Sequence, residues 1–253
     1  MTMNNLIFVV KHKKHNIPEY DPYKSIGVGK NQHSFDTRFH DDVKCNISDK
    51  NSSYCELTAQ YWVWKNISDK FENIGLNHYR RYFANSFFKR KLLCNSTLDK
   101  YLEKYDIILP KPWYWNHSVS THYYLYGAGK KKDLLTTREA IKKLAPDYLE
   151  SFDFILKQKQ ASYCNMLITS REYFDRYNKW LFNILNYVEK NTDTTNYTIA
   201  EKRIYGYLSE ILLNVWVNNN NLKIKYLPMI EKELSLKSKL RRNFMFFKNR
   251  LFS

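Results

Sequence analysis

The strongest constraint on the fold is the alternation of short apolar segments with helical segments along the chain. Apolar segments typical of strands occupy residues 6–10, 74–77, 105–110, 162–170 and 222–228. Helical periodicity marks residues 54–67, 96–104, 134–143, 146–157, 171–189 and 198–218. This order predicts an α/β sandwich with a mainly parallel central sheet. Residues 18–53 lack periodicity and predict a long loop.

Two predicted strands run directly into basic residues. Lys11, His12 and Lys13 follow the first strand, and the stretch IGLNHYRRYF places His78, Arg80 and Arg81 after the second. Ligands of open α/β sheets bind outside the carboxyl ends of the strands. We therefore expect these side chains at one ligand-binding edge, although each cluster alone is also compatible with a solvated turn.

The charge balance limits the classes of partner. The 253 residues include 41 Lys and Arg against 25 Asp and Glu, a formal net charge of +16. Such a surface attracts nucleic acid, anionic lipid or a phosphorylated substrate. The four cysteines lack metal-binding spacing and are interpreted as reduced thiols of a cytosolic protein. A five-residue apolar run followed by KHKK does not resemble a signal peptide, and no segment approaches the length of a membrane span.

The C-terminal 23 residues differ in composition from the rest of the chain. Seven basic residues stand there against Glu231 and Glu233. On a helix, the apolar positions form one stripe: Leu236, Leu240, Phe244, Phe247 and Leu251. This pattern predicts a domain of residues 1–230 and a basic amphipathic helix in residues 231–253 that lies on an anionic membrane surface. The alternative is a helix that packs on the domain with its basic face in water.

Motifs that would name a reaction are missing from the sequence. Glycine-rich dinucleotide, P-loop, zinc-protease and nucleophile-elbow signatures do not occur. The pairs His12/His15 and His117/His122 do not fall on a convincing helix, so no metal site is expected. Because the aromatic residues lie at core spacing or in one loop, stacking on single-stranded nucleic acid is disfavoured.

Six blocks of the sequence carry a family resemblance. They are VVKHKKH, NISDKNSSYCELTAQYWVWKN, IGLNHYRRYF, YDIILPKP, YCNMLITSREYFDRYNKWLF and RIYGYLSEILLNVWV. In this order, across residues 6–228, they resemble a family of bacterial capsular and exopolysaccharide glycosyltransferases long catalogued as a domain of unknown function. The resemblance implies a GT-A-like Rossmannoid fold and a nucleotide-sugar donor, and some relatives are thought to use UDP-galactofuranose.

The donor side of the reaction is assigned to the basic strand ends. Many GT-A enzymes hold a divalent metal with an Asp-x-Asp motif, but His78-Tyr79-Arg80 stands at that place here. We expect Arg80 and Arg81 to bind the donor diphosphate without a metal or other cofactor, assisted by Lys11, His12 and Lys13. The alternative for either arginine is an ion pair with a buried acid.

Further donor contacts are expected in the block before the helix at residue 54. Matching residues of the family block that are candidates for nucleotide or sugar hydroxyls are Asn46, Ser48, Lys50 and Asn51. The alternative is helix capping, with Asn51 as the cap. Glu56 is expected either to bind ribose or to lie in the first turn of the helix, where the dipole favours it.

The catalytic base and the acceptor contacts are predicted from scattered residues. Glu210 is a carboxylate in an otherwise apolar helix and is the first candidate base, with pairing to Arg203 as the alternative. His78 competes for this role. Acceptor contacts are expected at the sugar-stacking faces of Trp113 and Trp115, at His122, and at Asn165 early in the strand 162–170. The insert GAGKKKD departs from the family pattern.

Together these features predict a transferase on the inner face of the plasma membrane. It would move a hexose from a UDP-type donor to a lipid-linked glycan during surface-polysaccharide assembly, without nucleic acid as a partner. Two alternatives remain: a basic, non-catalytic nucleic-acid-binding protein, and a membrane-attached assembly protein with a degenerate site.

Overall fold

The computed structural model describes residues 3–18, 20–85 and 91–231. The predicted membrane helix after Glu231 lies outside the described residues. The chain forms two compact units. Of the described residues, the first unit comprises those up to 111 together with 165–179 and 222–230, and the second comprises 112–164, 180–221 and Glu231. The predicted domain of residues 1–230 thus contains more than one compact body.

Eleven strands are present in the described ranges. They are β1 (Asn5–Lys11), β2 (Tyr23–Gly27), β3 (Phe39–His40), β4 (Asn73–His78), β5 (Arg81–Phe83), β6 (Ile107–Pro110), β7 (Trp113–Tyr114), β8 (Gln160–Ala161), β9 (Leu167–Ser170), β10 (Ile224–Leu227) and β11 (Met229–Glu231).

The α-helices are α1 (Asn51–Tyr54), α2 (Leu57–Asn66), α3 (Asn95–Leu102), α4 (Val119–Thr121), α5 (Lys131–Leu144), α6 (Leu149–Lys157), α7 (Arg171–Lys190) and α8 (Ile204–Asn219). A π-helical turn, His122–Tyr126, follows α4 directly. No described helix is both long enough and apolar enough to cross a bilayer. No disulfide links the four cysteines, all of which lie in the described ranges.

The first unit is built on one sheet with the strand order β10-β6-β9-β4-β1-β2-β3. β1 runs parallel to β2 and β4, and β6 runs parallel to β10. β9 alone in this row is antiparallel to its neighbours β4 and β6. The mixed α/β class with a mainly parallel sheet is therefore confirmed.

The sheet is covered on both faces, which explains why its central strands are largely apolar. All seven residues of β1 are buried. Phe8 contacts Phe174 of α7 edge to face on one side, with ring centroids 6.4 Å apart. On the other side, the Asn5 side chain donates to Asp99 of α3 at 2.8 Å.

The expectation of a structureless loop over residues 18–53 was wrong. This region contains β2 and β3, which extend the sheet beside β1. β2 mixes Lys24, Ser25 and Gly27 with apolar residues, so its strand character depends on pairing with β1 rather than on its own pattern.

The helix predicted over residues 54–67 is in fact two helices. Cys55 interrupts it with a positive φ of 54°, which separates α1 from α2. Glu56 occupies the position before the first residue of α2, rather than its first turn. The continuous strand predicted over 162–170 is also wrong, because Cys164 and Asn165 form a left-handed turn before β9. Asn165 lies in that turn.

The second unit combines helices with one short antiparallel pair of strands, β7 and β8. Helix α6 packs on α8, where Ser151 hydrogen-bonds to the side chains of Asn218 and Asn219 at 3.0 Å each. The helix predicted over 134–143 corresponds to α5. The aromatic residues that the sequence was expected to place in one loop, from Trp113 onward, lie instead in β7, the π-helical turn and the residues between them.

Candidate functional site

The two basic stretches leave the sheet from adjacent strands. β1 ends at Lys11 and β4 ends at His78, and Val10 pairs with His78 in the parallel register. Both stretches therefore follow the carboxyl ends of neighbouring parallel strands, as the sequence predicted. This edge is where open α/β sheets bind ligands.

Tyr79 gathers side chains from both stretches. The ring is only 5% exposed, and His12 and His15 contact it edge-on at centroid distances of 5.1 and 5.2 Å. Lys13 Nζ lies 5.3 Å and Arg80 Cζ 5.7 Å from the ring centroid. We call these five residues the Tyr79 cluster. Cation–π attraction favours this arrangement and brings the two cations to one ring. Sequence reasoning found three of the five but missed Tyr79 and His15.

The other predicted cations of this edge have different surroundings. Lys11 is 5% exposed, and its Nζ donates to the Asp36 carbonyl at 2.9 Å and lies 5.4 Å from the Phe35 ring centroid. Arg81 is half-buried in β5, where it pairs with His78 across the hairpin. Lys13 and Arg80, by contrast, are exposed. The surface charge of the site therefore comes from the Tyr79 cluster more than from Lys11.

The family block before α2 is held by local hydrogen bonds. Asn46 Oδ1 accepts from both the backbone and the hydroxyl of Ser48, at 3.2 and 3.1 Å. Lys50 Nζ lies 5.8 Å from the Tyr54 ring centroid. Asn51 does not cap a helix start: it is the first residue of α1, and its Nδ2 donates to the Cys55 carbonyl at 2.8 Å. The expected helix cap at Asn51 was therefore wrong. Its side chain instead stabilises the break between α1 and α2.

Glu56 and Asn165 meet although 109 positions separate them. Asn165 Nδ2 donates to Glu56 Oε1 at 2.7 Å. Asn165 is 2% exposed, and its φ of 48° is one that asparagine tolerates better than most residues. The sequence predicted a donor contact for Glu56 and an acceptor contact for Asn165. In the structure the two side chains are hydrogen-bonded to each other.

A second polar cluster lies beside the end of β2, where sequence reasoning expected loop. Asp41 is fully buried, its backbone N–H donates to the Gly27 carbonyl, and Gln32 donates to its carboxylate at 2.9 Å. Burial raises the pKa of Asp41 to about 6, partly offset by hydrogen bonding. His33 Nε2 and Asp42 Oδ2 are 2.6 Å apart, and His33 stacks on His40 at 4.3 Å. The signal missed in the sequence was the run His40-Asp41-Asp42 after a short strand.

The aromatic residues expected to bind the acceptor form a packed cluster in the second unit. Trp115 is 4% exposed, stacks on His122 at 4.2 Å and meets Tyr163 edge-on at 5.0 Å. Trp113 stacks on Tyr163 at 5.6 Å. Burial lowers the pKa of His122 to about 4, assisted by the nearby His117, so His122 is neutral at pH 7. Trp115 is therefore buried in this cluster and does not present an open face on which a sugar ring could stack.

Glu210 anchors a turn in the second unit. Its Oε1 accepts from the Cys164 N–H at 2.8 Å. One helical turn later, Asn214 exchanges two hydrogen bonds with the Ser162 backbone, at 2.9 and 2.8 Å. Glu210 is half-buried, as the sequence predicted, while the Arg203 guanidinium lies 5.4 Å from the Tyr207 ring centroid. Its role as a base stays a prediction.

Within the described ranges, no three His, Cys, Asp or Glu side chains are grouped closely enough to hold a metal ion.

The mainly parallel α/β fold of this chain is similar to that of a solved glycosyltransferase. The apo structure of the bifunctional glycosyltransferase WbbM matches 91% of this chain with a TM-score of 0.84 and 28% sequence identity. The chain spans 46% of the matched WbbM chain. It belongs to the family described as "Domain of unknown function (DUF4422)", whose model matches residues 6–221. The family membership inferred from the motifs is confirmed. No curated protein matches the chain.

Proposed function

We propose that this protein is a glycosyltransferase that uses a UDP-type nucleotide-sugar donor. The similarity to WbbM and the family membership support the reaction class. The observation that carries the donor assignment is the Tyr79 cluster, which collects Lys13 and Arg80 from two adjacent strand ends.

The chemistry requires cations at the donor. When the bond between the sugar and the diphosphate breaks, negative charge develops on the leaving phosphate oxygen, and fixed cations stabilise it. Arg80 and Arg81 supply guanidinium groups that bind phosphate oxygens in pairs. Lys13, His12 and His15 add hydrogen-bond donors beside the same ring, and no step of this scheme calls for a metal.

The transfer also requires a base. An acceptor hydroxyl loses its proton as its oxygen bonds to the anomeric carbon, and the nucleoside diphosphate departs. We assign Glu210 as the base that accepts this proton. His78 is the competing candidate, because it directly precedes Tyr79 in the sequence. Donor hydroxyl contacts are assigned to Asn46, Ser48, Lys50, Asn51 and Glu56, and phosphate contact is also assigned to Lys11.

The acceptor proposed here is a lipid-linked glycan of surface-polysaccharide assembly. Trp113, Trp115, His122 and Asn165 are its assigned contacts, and rearrangement would be needed before the buried Trp115 could stack on a sugar. A lipid-linked acceptor places the enzyme at the inner face of the plasma membrane. UDP-galactofuranose is one donor to include in a screen.

The test is a transfer assay with the purified full-length protein. UDP-, GDP-, CMP- and dTDP-sugars are incubated with a lipid-linked oligosaccharide, with and without EDTA, and products are identified by mass spectrometry. The proposal expects sugar transfer from one donor class that persists in EDTA. Transfer that is lost in EDTA and restored only by Mn²⁺ would refute the metal-free scheme but not the transferase activity.

The same preparation tests the non-catalytic alternatives. Absence of transfer from every donor, with steeply salt-dependent binding of an oligonucleotide, would identify a nucleic-acid-binding protein instead. Binding of lipid and nucleotide without turnover would identify an assembly protein with a degenerate site.

A further inference from the structure

A buried carboxylate organises two surface segments of the second unit. Asp133, at the start of α5, is fully buried and accepts from the hydroxyls of Tyr123 and Tyr197 and from the Lys130 N–H. Tyr123 belongs to the π-helical turn, and Tyr197 belongs to the segment before α8. The same carboxylate therefore fixes both segments beside the first turn of α5.

The first of these segments is rigidly shaped and ends in exposed apolar side chains. Gly127 N–H donates to the His122 carbonyl at 2.7 Å, and Gly129 N–H donates to the Tyr123 carbonyl at 3.1 Å. A Cβ at Gly129 would lie 2.0 Å from the Tyr123 ring, so the backbone is pressed against that ring. Leu125 and Tyr126, at the end of the π-helical turn, are 65% and 67% exposed.

The second segment presents another apolar side chain. Tyr197 is buried, and Thr198 and Glu201 exchange hydrogen bonds between side chain and backbone at 2.7 and 3.3 Å. Between them, Ile199 is 91% exposed. A short, internally bonded turn thus holds a β-branched aliphatic side chain in solvent, where its burial against an apolar partner would be favourable.

Lysines lie at the base of both segments. Lys130 and Lys132 place their Nζ atoms 4.6 and 4.7 Å from the Tyr197 ring centroid. Lys131 and Lys202 are exposed. Glu201 is half-buried and forms an ion pair with Lys130 at 3.1 Å, whereas Asp193 is exposed. Hydrogen bonds hold the pKa of both carboxyls below its usual range, so both stay ionised. Beyond the Lys130–Glu201 pair, the three exposed lysines Lys131, Lys132 and Lys202 lie near the exposed Asp193, and cations are in excess.

We propose that these two segments form a docking surface for an anionic lipid bilayer. We call it the loop surface and define it by Leu125, Tyr126, Ile199, Lys131, Lys132 and Lys202. Exposed apolar and aromatic side chains next to lysines suit the boundary of an anionic bilayer. The apolar side chains would contact the acyl chains, and the lysines would contact the anionic headgroups. The excess of cations favours anionic lipid over an apolar protein partner. The loop surface does not include any residue of the basic segment after Glu231, and the proposal does not depend on the transferase activity.

The experiment measures partition of the full-length protein onto vesicles by flotation. Vesicles of phosphatidylcholine alone are compared with vesicles containing phosphatidylglycerol. The double variant Leu125→Ser/Ile199→Ser removes two apolar tips at exposed positions, and Phe154→Ser on α6, 49% exposed in the wild type, is the matched control. Unfolding temperatures of all variants verify that the fold is retained.

The proposal expects wild type and Phe154→Ser to partition onto the anionic vesicles, and the double variant to lose on the order of tenfold in partition coefficient. Lys131→Glu should weaken binding to anionic vesicles severalfold. Equal partition of the double variant and wild type, or equal binding to neutral and anionic vesicles, would overturn the proposal. Sugar transfer to a water-soluble acceptor by the double variant should match wild type, which separates this surface from the catalytic machinery.

Discussion

Asn165 donates a 2.7 Å hydrogen bond to Glu56, and this bond connects the turn before β9 to the start of α2. Glu56 is half-buried and Asn165 is 2% exposed, so the bond is shielded on one side from water. A carboxylate acceptor makes such a bond stronger than one between neutral groups. Each of these two candidate substrate-binding side chains is therefore held in position by the other.

A double-mutant cycle measures this coupling. Glu56→Ala, Asn165→Ala and the double variant should show a coupling free energy of about 1.5–3 kcal/mol in urea unfolding, since each single change removes one partner of this charge-assisted bond. Glu56→Gln retains an acceptor oxygen and should cost less than Glu56→Ala. Additive effects of the two alanine changes would show that the bond contributes nothing to stability.

Asp41 predicts an unusual pH dependence of stability. Its pKa rises from 3.8 to about 6 on folding because the carboxyl is buried. Between these values the unfolded chain loses the proton while the folded chain keeps it, so stability falls as pH rises and stays lowered above pH 6. Asp41→Asn removes this titration. The free energy of unfolding of the variant, minus that of wild type, should grow by about 2 kcal/mol between pH 4 and pH 7.

Chemical denaturation at four pH values, from pH 4 to pH 7.5, checks the Asp41 prediction. Asp147→Asn at an exposed position is the control for removing one carboxyl. If the difference between Asp41→Asn and wild type does not vary with pH, the carboxyl is not destabilised by burial.

Glu210 has two separable roles. Glu210→Gln keeps an oxygen that accepts from the Cys164 N–H but cannot take a proton, so kcat should fall at least a hundredfold with the unfolding temperature nearly unchanged. Glu210→Ala should also lower the free energy of unfolding by about 1–3 kcal/mol, because the Cys164 N–H loses its acceptor. A Glu210→Gln enzyme with kcat within threefold of wild type would transfer the assignment of base to His78, to be checked with His78→Asn.

Strong local patterns explain why part of the fold could be predicted. β1 contains the apolar run LIFVV, and β4 contains the shorter apolar stretch IGL. The long helix α7 repeats its apolar positions with helical period, so these elements are visible without tertiary information. β2 was missed because Lys24, Ser25 and Gly27 break any pattern, and its ladder partner β1 decides its conformation. The break at Cys55 was missed because a single positive φ has no signature in a residue that is neither glycine nor asparagine.

The candidate site, like the fold, could be predicted from the sequence only in part. Adjacency of the two basic stretches follows from a general rule for parallel sheets, so His78 and Lys11 were placed correctly at one edge. The contact between Glu56 and Asn165 requires the packing of segments 109 positions apart, and the buried position of Asp41 requires β2 and β3. Neither relationship is encoded in local spacing.

The most direct test of the account is calorimetric titration of UDP into the protein in the presence of EDTA. Wild type is compared with Arg80→Ala/Arg81→Ala and with the control Arg176→Ala, whose guanidinium lies 5.6 Å from the Tyr173 ring centroid, much as Arg80 lies 5.7 Å from that of Tyr79. The account predicts that wild type and the control bind UDP alike without metal. It predicts that the double variant binds about a hundredfold more weakly, a loss of about 3 kcal/mol. Equal affinity in the double variant, or binding that appears only after Mn²⁺ is added, would contradict the claim that arginines at this strand end hold the donor diphosphate.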